Sequence, residues 1–92
     1  RAEIAPGVGG SIARFDRGAQ PLLRPALDGA VDVLAMACFP LVPYANRIRG
    51  GRFMCDGREV RLQPNMAGDK SPLHGQGWLA AWRIEAAGAD RV

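Results

Sequence analysis

Apolar and polar residues alternate over several short stretches of this chain, which is the spacing of half-buried β-strands. The first stretch covers residues 9–15, and extended chain resumes at residues 21–25. Between them, Asp16-Arg17-Gly18 supplies a turn, because aspartate and glycine adopt turn conformations readily. We therefore predict a β-hairpin over residues 8–24.

A second hairpin is predicted over residues 52–62, where two alternating runs flank Asp56-Gly57. Asp-Gly between such runs is a strong signal for a two-residue turn, because glycine accepts the positive φ that this turn requires. On the second strand, Val60 and Leu62 share the face opposite to the charged residues.

The remaining pattern predicts further short strands joined by loops. Residues 27–37 have a spacing that also fits a short helix, but the surrounding prolines favour a loop leading into a strand at residues 35–39. Residues 64–72 are predicted to form a loop. Residues 77–85 are predicted to form a strand, because apolar residues fall on alternate positions there, at Trp78, Ala80, Trp82 and Ile84. Several short strands at close spacing predict an all-β fold, a sandwich or a barrel.

Length and composition fit one small globular domain, since 48% of the 92 residues are apolar and 23% are charged. No apolar run is long enough to cross a membrane and no signal peptide is recognisable, so we expect a cytoplasmic protein without a membrane partner. The sequence begins at Arg1 without a methionine. We expect a fragment of a longer protein, whose remainder would complete the sheet edges.

Cys38 and Cys55 lie in apolar, strand-like surroundings. This favours buried free thiols, although the spacing leaves a disulfide open. Two separated cysteines and one histidine do not have the spacing of a metal site, so no metal is expected.

The net charge of +3 comes from one segment. Residues 47–61 contain five arginines and two acidic residues, whereas the rest of the chain has seven basic and seven acidic groups. Such a strip attracts phosphate or nucleic acid in some proteins, but a solvated hairpin face is the default interpretation. Arg49-Gly50-Gly51-Arg52 also looks like an RNA-binding RGG element. A single copy without interleaved aromatic residues supports this poorly, and we do not expect nucleic-acid binding.

Two segments carry candidate chemistry. His74 is the sole histidine, and it lies between Pro72 and two glycines, which predicts an open, bent backbone. Asn46 and Arg47 follow a proline-rich extended stretch, and together they offer the donors and the acceptor needed to hold sugar hydroxyls. On chemistry alone, an ordinary surface turn and a surface ion pair explain these residues equally well.

The order of the motifs changes that balance. Pro-Tyr-Ala-Asn-Arg-Ile, then Gly-x-Phe, a Gly-Arg-x-x-x-Leu hairpin, an asparagine, and Leu-His-Gly ahead of a tryptophan occur in sequence. This set, spanning roughly Phe39 to Trp82, closely resembles the aldose 1-epimerases (galactose mutarotases), particularly the bacterial branch. No single motif is specific, but the ordered set is.

The resemblance implies a large antiparallel β-sandwich, the galactose mutarotase-like supersandwich, of which this chain would form the N-terminal part. It also implies interconversion of the α and β anomers of free aldoses such as galactose and glucose. The expected partner is therefore a monosaccharide, and no metal or organic cofactor is implied. A general base takes the proton of the anomeric hydroxyl while a general acid protonates the ring oxygen, so that the ring opens and recloses from the other face.

By position in the motifs, Arg47 matches the family's sugar-binding arginine and Asn46 its neighbour. His74 matches the first of two active-site histidines, which binds sugar and assists near the ring oxygen. The second histidine, assigned as the general acid, and the glutamate assigned as the general base have no counterpart, so the chain alone is expected to be inactive. Trp78 is a possible sugar-stacking residue, although its spacing from Trp82 is more typical of packing.

Two related functions remain open. A non-catalytic sugar-binding relative would have the same fold, because fold does not dictate chemistry. A variant that acts on hexose 6-phosphates is the second, and its phosphate could bind the cluster of Arg49, Arg52 and Arg58. Asp69 is expected in a solvated loop.

Overall fold

The computed structural model describes residues 1–91, which contain short β-strands and single 3₁₀ turns. Arg1–Pro40 and residues 77–91 form one compact unit, which we call the terminal unit. Leu41–Gln76 form a second, the central unit. All paired strands are antiparallel, and no α-helix occurs in residues 1–91. The predicted all-β fold is confirmed.

The terminal unit contains a three-stranded sheet in the order β1-β2-β3. The strands are β1 (Ala2–Ala5), β2 (Ser11–Arg17) and β3 (Gln20–Pro21). The β2–β3 pair confirms the hairpin predicted over residues 8–24. Strand β1 was not predicted, because its four residues are too few to establish an alternation.

The segment after this sheet is a 3₁₀ turn at Val33–Ala35, and the side chain of Asp32 accepts a hydrogen bond from the Leu34 amide. The strand predicted at residues 35–39 is wrong. Its only ladder contact in the described chain is a single bridge between Cys38 and Ile12. Val33 and Met36 are instead buried in the core of this unit.

Residues 77–85 do not form the predicted strand either. Gly77–Leu79 is a 3₁₀ turn, and residues 81–88 have no regular secondary structure. Their alternation has no neighbouring strand to pair with, and the Trp82 amide donates instead to the Pro6 carbonyl at 2.8 Å. The Trp82 indole N–H donates to the Gly77 carbonyl, also at 2.8 Å. Trp82 remains 44% exposed.

In the central unit, β4 (Arg52–Cys55) and β5 (Arg58–Arg61) form the hairpin predicted over residues 52–62. Asp56 and Gly57 connect the strands with φ values of 48° and 74°. Two consecutive positive φ angles are characteristic of the type I′ turn, which matches the twist of the strands it joins. The prediction is therefore confirmed both in its position and in its turn.

Both cysteines are free, but both are exposed, so the predicted burial of Cys38 and Cys55 is wrong. Every residue of β4 is exposed, which places Cys55 on an open hairpin and not in a core. Across residues 1–91, no helix has the length and apolar character needed to span a bilayer.

Candidate functional site

Asn46, Arg47 and His74 come together in the central unit because two segments of the chain run antiparallel there. Arg47 and Leu73 form an antiparallel bridge. The Ile48 amide donates to the Pro72 carbonyl at 3.2 Å, and the His74 amide donates to the Asn46 carbonyl at 2.9 Å. Backbone hydrogen bonds therefore hold these three candidate residues at adjacent ladder positions.

Asn46 and His74 both have left-handed backbone conformations, with φ values of 65° and 60°. This region is unfavourable for residues with a side chain, although asparagine tolerates it better than most. Each such residue costs on the order of 1 kcal/mol or more and persists where surrounding contacts enforce it. Two of them in direct hydrogen-bond contact mark this place as structurally constrained.

The His74 imidazole is oriented by the backbone of Asn46. The Asn46 amide donates to His74 Nδ1 at 2.8 Å. Because a backbone amide can only donate, Nδ1 must be the acceptor nitrogen, and a neutral imidazole then carries its hydrogen on Nε2. The His74 residue as a whole is half-buried.

The Arg47 guanidinium is fixed along one edge. Its Nε donates to Asp69 Oδ2 at 2.6 Å, and its Nη1 lies 3.5 Å from Asn46 Oδ1. The same asparagine oxygen accepts the Arg47 backbone amide at 2.9 Å. The Arg47 side chain keeps 53% of its surface exposed, and its Nη2 makes no hydrogen bond within residues 1–91. Donors suited to hydroxyl oxygens therefore remain accessible.

Asp69, expected to be solvated, is a structural partner of Arg47. Its Oδ1 accepts a hydrogen bond from the Ser71 amide at 2.9 Å, and its Oδ2 accepts from Arg47. The Ser71 amide and the Arg47 guanidinium together lower the pKa of the Asp69 carboxyl, since both favour its charged form. The Asp69 carboxylate is therefore held by these partners, with 19% of the side chain exposed, and is not simply solvated.

Asn65 anchors the segment that carries His74. Its side-chain oxygen accepts from the Leu73 amide at 2.7 Å, and its amide group donates to the carbonyls of Leu73 and Gly75 at 2.8 and 2.7 Å. Sequence reasoning included an asparagine in the family pattern but gave it no role. The available signal was its place within a proline- and glycine-rich loop, where side-chain amides commonly bond to the backbone.

Gly75 completes the bend that presents His74. It has a φ of 68° and forms a bridge to Val42. A Cβ atom at this position would collide with the Val42 carbonyl and with the Pro43 ring. Only glycine fits here, because the position requires both a left-handed backbone and close approach of a neighbouring segment.

Trp78 lies in the terminal unit, where 3% of its surface is exposed and its ring stacks on Phe39 with a centroid distance of 5.9 Å. These contacts are those of a core residue, which was the alternative interpretation of its sequence position. A role in sugar stacking remains a prediction. Tyr44, in the central unit, is half-buried.

The basic strip lies largely on the β4–β5 hairpin. Arg52 and Arg61 are directly opposite each other, and Arg61 is paired with Glu59 at 2.6 Å. Arg49, Arg52 and Arg58 are exposed and have no ion pair within residues 1–91. No group of three or more histidine, cysteine, aspartate or glutamate side chains in that part of the chain is arranged to hold a metal ion.

Comparison with known proteins identifies the family. The family profile described as aldose 1-epimerase matches residues 3–92. The chain belongs to the aldose 1-epimerase family. This confirms the resemblance drawn from the ordered motifs around Arg47 and His74.

A protein sequence and a crystal structure from Escherichia coli K12 are closely similar to the chain. The uncharacterized protein YphB is 52% identical over 84 residues, which cover 91% of this chain and 29% of YphB. A crystal structure of a proposed aldose 1-epimerase superposes with a TM-score of 0.87 at 43% identity, covering 97% of this chain and 30% of that one. The chain thus has the aldose 1-epimerase fold and spans about three tenths of the length of these relatives.

Proposed function

We propose that the chain contributes part of the monosaccharide site of an aldose 1-epimerase that interconverts the α and β anomers of free aldoses of the galactose or glucose type. The observation that carries this proposal is the reciprocal hydrogen bonding of Asn46 and His74 beside the half-exposed Arg47 guanidinium. It brings together the three residues that match the family's sugar-binding motifs.

The chemistry of the site supports a binding role for each of these groups. Arg47 offers guanidinium donors to sugar hydroxyls. His74, whose Nδ1 accepts from the Asn46 amide, would donate from Nε2 to an acceptor such as the ring oxygen when a sugar is bound. A hydrogen bond to that oxygen stabilises the negative charge that develops as the ring opens. Because Nδ1 accepts from the Asn46 backbone, His74 is suited to assist as a fixed donor.

Anomer exchange also needs a general acid and a general base. His74 is the sole histidine of the sequence. We therefore propose that the acid–base pair comes from elsewhere in a longer polypeptide, in which this chain would form the N-terminal part of one β-sandwich domain. Exposed apolar side chains in the terminal unit, among them Leu27 at 82% and Val31 at 84%, support further chain packing on that unit.

The test is anomer exchange of galactose and glucose by the complete polypeptide, followed by polarimetry or by NMR exchange spectroscopy. Arg47→Ala and His74→Asn should each reduce kcat/KM by about 10- to 100-fold, because each removes polar contacts with the substrate worth about 1.5–3 kcal/mol. Asparagine is the replacement at position 74 because it tolerates the left-handed backbone there. Arg58→Ala, which removes an exposed arginine from the hairpin, is the matched control and should leave the rate unchanged.

Full activity in both site variants would refute the assignment of these residues. Sugar binding without anomer exchange in the wild-type polypeptide would instead identify a non-catalytic sugar-binding relative. A strong preference for hexose 6-phosphates, lost in Arg58→Ala, would favour the phosphate-specific variant.

A further inference from the structure

Arg47 and Asp69 form a close ion pair within the central unit, with Nε and Oδ2 separated by 2.6 Å. The two residues are 22 positions apart in sequence. The pair is asymmetric, because the Asp69 side chain is 19% exposed and the Arg47 side chain is 53% exposed. The carboxylate is therefore the more fixed partner, and the guanidinium is the one that it holds.

The carboxylate of Asp69 is itself held in place by the chain around it. Its Oδ1 accepts the Ser71 amide at 2.9 Å, and the Asp69 backbone amide donates to the Met66 carbonyl at 3.2 Å. Ser71 is tied in turn to the neighbouring segment, since its Oγ accepts the Gly50 amide at 3.2 Å. With both oxygens bonded, the carboxylate has little freedom to rotate away from Arg47.

The geometry of the guanidinium determines what this contact leaves available. The group is planar and has its donors in a fixed fork, so that holding the Nε edge also sets the direction of both Nη groups. Asn46 Oδ1 lies near Nη1 at 3.5 Å, which limits rotation on a second side. A long arginine side chain otherwise loses much of its rotamer entropy when a ligand immobilises it.

We propose that Asp69 is a positioning residue for sugar recognition, which orients the Nη edge of Arg47 toward the ligand before the ligand binds. This inference rests on the proposed function and adds to it a residue outside the family motifs described above. Because Asp69 acts through Arg47, its loss should affect the affinity for the aldose more than the chemical step.

The decisive experiment is a double-mutant cycle in the complete polypeptide, with KM and kcat measured for anomer exchange of the preferred aldose. Asp69→Asn preserves size and the acceptor for the Ser71 amide, but it removes the charge and turns an NH₂ group toward Arg47 Nε. We expect Asp69→Asn to raise KM about fivefold with kcat nearly unchanged. In an Arg47→Ala background, the same substitution should have no further effect, because its target is gone.

Glu59→Gln is the matched control, since it breaks the Arg61–Glu59 pair on the hairpin of the same unit and should leave both constants unchanged. A second readout follows the Arg47 Nε hydrogen by NMR, whose exchange with water should accelerate in Asp69→Asn and stay constant in Glu59→Gln.

Each outcome has a clear meaning. A KM increase in Asp69→Asn that disappears in the Arg47→Ala background supports the inference. If Arg47→Ala impairs the enzyme while Asp69→Asn matches wild type, the inference is overturned and the proposed function stands. An equal loss in both backgrounds would show that Asp69 acts independently of Arg47, which also overturns it. If the wild-type polypeptide neither binds nor interconverts any aldose, the proposed function and this inference both fall.

Discussion

The side chain of Asn65 allows the anchoring of the His74 segment to be tested quantitatively. It makes three hydrogen bonds to the backbone of Leu73 and Gly75. Asn65→Ala removes all three, and a typical intramolecular hydrogen bond contributes about 1 kcal/mol to stability. Because Leu73 is buried with 6% of its surface exposed, water can replace these bonds only in part. We expect the free energy of unfolding to fall by about 3 kcal/mol.

Asn65→Asp sharpens this prediction because it preserves shape. The carboxylate still accepts from the Leu73 amide, but its second oxygen then faces the carbonyls of Leu73 and Gly75 in place of a donor. At neutral pH the loss of unfolding free energy should be at least as large as in Asn65→Ala, since a carboxylate oxygen is brought against carbonyl oxygens with no donor between them.

The assay is urea-induced unfolding of the complete polypeptide, analysed by linear extrapolation with the slopes compared among variants. Gln63→Ala serves as the control, because Gln63 is exposed and makes no hydrogen bond within residues 1–91. The free energy of unfolding of Gln63→Ala should stay within about 0.5 kcal/mol of the wild-type value. The reasoning is refuted if Asn65→Ala also stays within that range, or if Asn65→Asp is as stable as wild type.

Two further predictions concern the same unit. The pKa of Asp69 is lowered in the folded protein, so the Arg47–Asp69 pair should remain intact at a pH of about 3.9, where an ordinary aspartate is half protonated. The stability that the pair contributes is fully present above the unfolded-state pKa and is lost as the pH falls from there through the folded-state pKa. An Asp69 ¹³Cγ titration midpoint by NMR at or above about 4 would contradict this. Gly75→Ala should lower the free energy of unfolding by about 2–4 kcal/mol, because alanine is strained in a left-handed backbone and its Cβ collides with Val42. Gly68→Ala is the control, since Gly68 has a φ of 80° with open space around it, and it should lower that free energy by only about 1 kcal/mol. Equal losses in urea unfolding would exclude the collision.

Local chemistry determined which parts of the fold could be predicted. The β4–β5 hairpin was predicted correctly because Asp56 and Gly57 encode their own turn and the strands pair with their immediate neighbours. The strand at residues 77–85 was predicted wrongly because alternation indicates a face but not a partner. Without an adjacent strand, the backbone there bonds to Pro6.

In the site, too, the residues that belong to a local motif could be predicted, and those that act through distant partners could not. Arg47 and His74 could be singled out by motif order, and the family was identified in this way. Asp69 and Asn65 could not be given their roles, since each acts through hydrogen bonds to residues whose proximity depends on how the loops close. A single sequence does not encode such proximity in any local pattern, and charged or amide residues in a loop otherwise suggest solvent contact.

The left-handed backbone at Asn46 and His74 has a consequence for reading saturation mutagenesis of this site. Each substitution at these two positions would change both the torsional cost of the left-handed backbone and the contacts of the side chain. Alanine would therefore score poorly even where the native side chain makes no contact with the ligand. Glycine is the informative baseline, because it deletes the side chain while relieving the torsional cost. The gap between glycine and the native residue, and not the gap to alanine, would report what each side chain contributes to the ligand.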